Sequence, residues 1–137
     1  MARSRSKSDP AVVEAFAIDL ARSLEDDRCE EMVLLDVRGL SQVCDYVLVA
    51  SGTSQRQMKS AAQSLEDLGK ERGNAPFRSS ADSGTTWVVV DFVDVVVHIF
   101  EPEHRLYYDI ESLWDNSRRV EWEREGGTPS RSQSSMD

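Results

Sequence analysis

"WVVVDFVDVVVHIF", residues 87–100, is the most apolar stretch of the chain, yet Asp91, Asp94 and His98 interrupt it. The run is longer than an ordinary strand, and two aspartates near its middle mark a reversal, so it reads as a β-hairpin with arms 87–91 and 94–100. Phe92 and Val93 are poor residues for a two-residue turn. A four-residue connection that includes both aspartates is expected instead, which puts Val90 opposite Val95 and Trp87 opposite His98.

Side chains alternate along a strand, so Val88, Val90, Val95, Val97 and Ile99 share one face of this hairpin. That face is pure core. Trp87, Val89, Asp91, Asp94, Val96, His98 and Phe100 share the other, which carries an indole, an imidazole and two facing carboxylates. Like charges opposite each other are unfavourable by some tenths of a kcal/mol, a cost that a cationic partner or a nearby arginine offsets. The second face therefore reads as a surface made to be covered. Two other readings compete with it: the aspartates only mark the turn, with Trp87 and His98 capping a core, or Asp91, Asp94, His98 and His104 bind a metal. The metal reading has the right ligand types but no supporting pattern around them.

Outward from the hairpin, helical and strand signals alternate. In "DPAVVEAFAIDLARSLEDD" (9–27), Asp9 can cap, Pro10 suits the first helical position, and Val13, Phe16, Ala17, Leu20 and Leu24 form one stripe. "MVLLDV" (32–37) and "DYVLVAS" (45–51) read as strands. From "GTSQRQMKSAAQSLEDLGKERGN" (52–74) a second helix is expected, capped by Thr53 or Ser54, with Met58, Ala61, Ala62, Leu65 and Leu68 inward and Gly73 as its stop. "APFRSS" (75–80) is a candidate edge strand. In "EPEHRLYYDIESLWDNS" (101–117), Pro102 opens a last helix on which Leu106, Ile110, Leu113 and Trp114 share a face. The order implies an α/β fold, a mixed sheet of about five strands with helices packed on it.

Length and charge narrow the function. With 137 residues and 39% apolar content, the chain supports one core, a single α/β domain at 9–119. Residues 1–8, "MARSRSKS", read as a disordered basic arm, and 120–137 as a disordered polar tail. A net charge of −9 repels phosphate backbones, so sequence-specific nucleic-acid binding is not expected, whereas a basic protein would be attracted. Cys29 and Cys44 fit neither a zinc site nor a disulfide scaffold and suit a reducing, cytoplasmic setting. No run is long and apolar enough to span a membrane.

Three blocks in order, "LDVRGLSQVCDYVLVASGTSQRQMKS" (35–60), "WVVVDFVDVVVHIF" (87–100) and "EHRLYYDIESLW" (103–114), resemble the ribosomal silencing factor family, the Iojap-related proteins. The resemblance implies an α/β protein that binds the large ribosomal subunit through ribosomal protein fourteen, blocks subunit joining and represses translation. The family's patterned positions fall here on Asp45, Ser51 and Gly52, on Trp87, Asp91, Asp94 and His98, and on Arg105, Tyr108, Glu111, Leu113 and Trp114. With Val89, the expected partner-binding set is Trp87, Val89, Asp91, Asp94, His98, Arg105, Tyr108 and Trp114. Cys44 stands where the family commonly has threonine, Val93 where it has glycine, and Ser and Asp residues around 80–83 where it has a Glu-Gly pair before the tryptophan, so the resemblance does not fix the local turn shape.

The rival reading is a magnesium-dependent nucleotidyltransferase or nucleotide-binding protein. "VLVASGTS" (47–54) runs from a strand into a helix, as a phosphate loop does, and a nucleotidyltransferase-like topology fits the order of elements. The aspartates are spaced Asp-x-x-Asp, however, and the loop has one glycine. No enzyme, no cofactor and no catalytic residue are expected. A partly apolar face also implies a weak homodimer of the free protein.

Overall fold

The computed structural model describes residues 9–82 and 84–124, with the backbone alone for Leu106, Tyr107 and Tyr108. The elements run α1 (Pro10–Asp26), β1 (Glu30–Asp36), β2 (Tyr46–Ser51), α2 (Gln55–Glu71), β3 (Arg78–Ala81), β4 (Trp87–Asp91), β5 (Val95–Phe100), α3 (Pro102–Tyr108), a 3₁₀ turn (Ile110–Trp114) and β6 (Arg118–Val120). The strands form one six-stranded mixed sheet in the order β3-β4-β5-β2-β1-β6. Only the central β2–β5 pair is parallel; its neighbours are antiparallel.

The long helices start as their caps dictate. The Asp9 carboxylate accepts from the Ala11 N–H at 2.9 Å, and the Ser54 hydroxyl from the Gln57 N–H at 3.0 Å. Both helices lie on one face of the sheet. Val13, Phe16, Leu20 and Leu24 of α1 and Met58, Ala61 and Leu65 of α2 pack there against Leu34, Leu48, Val90, Val97 and Ile99. At about 25 cal/mol per Å² of apolar surface removed from water, this packed layer dominates the stability of the fold.

Gly52 joins β2 to α2 where the chain passes closest to the helix. A Cβ there would lie 2.1 Å from Met58 Cγ. Glycine thus admits the Met58 side chain, while Ser54 Oγ accepts from the Gln57 N–H and Gln57 Oε1 from the Thr53 N–H, each at 3.0 Å. The position where a phosphate loop would hold an anion is filled by the protein's own side chains.

Several expectations are corrected. The hairpin turn spans 92–95, with the Phe92 N–H bonded to the Val95 carbonyl at 2.8 Å, so Trp87 pairs with Phe100, Val89 with His98 and Val90 with Val97. The register is two residues from the expected one; an even slip leaves every side chain on its face but changes its neighbour. Val93 takes φ +77, the left-handed conformation that a glycine adopts without strain. The last helix stops at Tyr108 because Asp109 turns left-handed at φ 46, and Leu113, expected inward, is 70% exposed.

A sixth strand, β6, adds to the five expected; it begins within the expected domain and ends at Val120, the first residue of the expected tail. Val120 is buried on the helix-covered face beside Leu34, and Trp122 is 8% exposed, its indole N–H donating to the Met32 carbonyl at 3.3 Å. Arg118 fastens β6 by bonding Glu14 at 2.6 Å and Asp36 at 3.0 Å. The expected disorder of 1–8 lies outside the described residues, as does that of 125–137.

Candidate functional site: the second face of the sheet

The register aligns side chains into rows across the face opposite the long helices. Ser80, Val89, His98, Val49 and Val33 make one row, and Arg78, Asp91, Val96, Val47, Leu35 and Arg119 the next. Its middle is a second apolar cluster of Val33, Leu35, Val47, Val49 and Phe100, against which Trp87, Val96, Ile110 and Trp114 pack half-buried. Toward β4 the cover thins. Trp87, Val89, Val96 and His98 all remain partly exposed.

An aromatic ladder occupies that margin. The Trp87 indole stacks on Phe100 with centroids 4.9 Å apart and donates its Nε1–H to His98 Nδ1 at 3.1 Å. His98 lies nearly parallel to Phe100, at 10° and 6.2 Å. As Nδ1 accepts, the neutral ring carries its proton on Nε2. Burial pushes the His98 pKa down to about 4, against the opposing pull of Asp91, so the imidazole is uncharged at neutral pH.

The loop entering β4 holds the same tryptophan from its backbone. Asp82 Oδ1 accepts from the Thr86 N–H at 2.6 Å and the Trp87 N–H at 3.0 Å, and its carboxylate also accepts from the Thr86 hydroxyl. These bonds, the Thr86 hydroxyl first, hold the Asp82 carboxyl below the usual range. Asp82 was missed from sequence; an aspartate four to five residues before a strand-opening Thr-Trp pair was the available signal, an Asx-type cap on the strand entry.

The expected site residues divide. Trp87, Val89 and His98 come together as anticipated, and Trp114 lies further along the same face. Asp91 and Asp94 do not form exposed facing carboxylates: they are 2% and 6% exposed. Asp91 Oδ1 accepts from the Val93 N–H at 2.8 Å, and its other oxygen is 3.8 Å from Arg78. The Asp94 carbonyl accepts from the Asp45 and Tyr46 N–H groups, tying the turn to the start of β2. Both acids therefore build the turn that ends the face. Tyr108's side chain lies outside the described residues.

Arg105 is 8% exposed, and its guanidinium is engaged on three sides. It donates to Ser51 Oγ at 2.8 Å, to the Glu31 carbonyl at 2.7 Å and to both Glu111 oxygens at 2.9 and 3.1 Å. Glu31 is left-handed at φ 52 within an irregularity of β1, which leaves its carbonyl open to the arginine. Ser51, Arg105 and Glu111, three of the patterned positions, thus form one clamp that pins α3 and the 3₁₀ turn to the sheet.

The four-residue metal set is not gathered: His104 Nδ1 lies 3.0 Å from Glu101, and among the described residues no group of three His, Cys, Asp or Glu side chains is placed to hold a metal. A groove of about 860 Å³ lies apart from the ladder, between the start of α1, the end of α2 and the β4–β5 turn. Val12 and Phe77 line it, 61% and 53% exposed. Among the described residues no helix is long and apolar enough to cross a membrane.

Comparison with known proteins bears on the family of the chain. A family profile described as "Ribosomal silencing factor during starvation" matches residues 10–137. The ribosomal silencing factor RsfS of Bacillus subtilis is 36% identical over 97 residues, 71% of this chain and 82% of that protein. The RsfS of Halalkalibacterium halodurans is 34% identical over 101 residues, covering 74% and 86%. A crystal structure of a Chromobacterium violaceum protein superposes with a TM-score of 0.69 at 36% identity, covering 78% of this chain and 87% of that one.

Proposed function

Because the chain belongs to the ribosomal silencing factor family, we propose that it binds the large ribosomal subunit through ribosomal protein fourteen, blocks subunit joining and so represses translation. One observation carries the choice of surface: a partly exposed indole held in a fixed orientation at the margin of an otherwise sealed sheet face. Tryptophans that become buried on binding dominate the energetics of protein interfaces. Trp87, Val89 and Val96 form the docking surface around the indole, with His98 beside Trp87 and Trp114 at the far margin. Asp91, Asp94 and Arg105 serve it from beneath, shaping the turn and the clamp.

The net charge of −9 supports a basic partner, and with it an association that weakens as salt rises. We place the protein in the cytoplasm, where the same open margin makes a weak homodimer of the free form. Cosedimentation with purified large subunits at low salt tests the reading, followed by light scattering as small subunits are added. Folded protein that fails to pellet with large subunits, or that pellets without delaying their joining, refutes it.

A further inference from the structure

Trp87 is held both at its indole and at its backbone, and that double hold has a consequence for recognition. Trp87 sits opposite Phe100 in the register, so His98 is its diagonal neighbour two residues back on β5, within reach of a long aromatic side chain. Such a diagonal can serve a tryptophan only if its ring presents an acceptor at the indole nitrogen. His98 does so through Nδ1 at 3.1 Å while lying parallel to Phe100. On the backbone side, Asp82 fixes the Trp87 N–H. A half-buried indole without these holds would sample several rotamers and lose that freedom on binding, at a cost in affinity.

Resting on the docking face proposed above, we infer that His98 is a positioning residue: it acts on the partner through Trp87, by fixing the indole in its binding orientation through the Nε1–Nδ1 hydrogen bond, and makes no energetically significant contact of its own. The imidazole combines the two properties the place demands, a flat ring that continues the stack and one unprotonated nitrogen aimed at the indole. Phenylalanine keeps only the first of these, and asparagine, whose amide oxygen falls where Nδ1 stands, only the second.

The test compares the full-length wild type with Trp87→Ala, His98→Phe, His98→Asn and the double variant Trp87→Ala/His98→Phe. Affinity for purified large subunits is read by cosedimentation titration, and folding by circular dichroism. Trp87→Ala weakens binding about thirtyfold. His98→Phe weakens it about tenfold, the worth of one partly buried hydrogen bond and the order it imposes, whereas His98→Asn stays within about threefold of wild type. The double variant binds no worse than Trp87→Ala alone, because a residue acting through the indole has nothing left to act on.

Losses that multiply in the double variant show that His98 touches the partner itself and overturn the inference. So does a folded His98→Phe that binds like wild type while Trp87→Ala fails. Undiminished binding by Trp87→Ala instead removes the docking face, and the inference with it. A measurement on the free wild type guards against variants that do not fold: the Trp87 indole N–H exchanges slowly with solvent in nuclear magnetic resonance spectra, and fast exchange refutes the positioning role.

Discussion

The two faces of the sheet are covered in opposite ways. On one, α1 and α2, each of 17 residues, lay continuous stripes over the strands, and Leu20, Leu24, Leu34, Leu48 and Ile99 are wholly buried. On the other, a seven-residue helix and a 3₁₀ turn cover the centre and leave the β4 margin half open. The closed face repays a long helix with buried apolar area; the open one spends part of its apolar surface on solvent. On the proposed docking reading, fold stability and recognition are allotted to opposite sides of the same strands, with residues one position apart serving different ends.

The comparison breaks first if the closed face is not the stable one. Leu48→Ala, at a site with no exposure, is expected to lower stability by about 3 kcal/mol. The expected shift is in the urea midpoint, with the affinity of the folded fraction for large subunits unchanged. Trp87→Ala has the opposite signature. Binding falls by about 2 kcal/mol, while chemical denaturation shows a stability loss of about 1 kcal/mol or less. Equal effects of these two substitutions on both measurements dissolve the division.

A pH titration sharpens it further. His98 has a folded pKa of about 4 against 6.5 for a free imidazole, so between these values the unfolded chain binds a proton that the native one refuses. Its contribution is complete above pH 6.5 and is lost as pH falls toward 4, a decline of about 3 kcal/mol. His98→Asn should flatten that part of the stability profile relative to wild type. An unchanged slope means that the imidazole is not held neutral by the open face. The smallest effect is expected at the turn between the two hairpin arms. Val93→Gly relieves a β-branched residue at φ +77 and is expected to raise stability by about 0.5 to 1 kcal/mol in denaturant melts.

The closed face was legible in the sequence because periodicity encodes it directly: the α1 stripe from Val13 to Leu24 and the hairpin's valine alternation both appear in the structure as read. The open face was legible only by parity. Trp87, Val89 and His98 were assigned to one side, but the burial of Asp91 and Asp94 was not, since nothing local tells whether a turn aspartate faces water or its own backbone amides. Long-range partners escaped altogether. β6 is three residues in a polar context, held by Arg118 to groups 82 and 104 positions away, and the Arg105 clamp reaches from α3 back to Glu31. The turn at Val93, whose shape the sequence did not determine, keeps the left-handed backbone in spite of the β-branched side chain.

The parallel seam at the centre of the sheet also bears on how the chain reaches this structure. Tyr46–Ser51 align with Val95–Phe100, so the middle of the molecule is sutured from segments roughly fifty residues apart, whereas β4 and β5 meet across a tight turn. Loop-closure entropy makes the distant pairing the slower event. The hairpin is therefore expected to assemble early and wait for β2 to dock alongside β5. Until it does, the β5 edge stands open, and it is the strand at which a chain made at high concentration is most prone to pair with a second nascent copy.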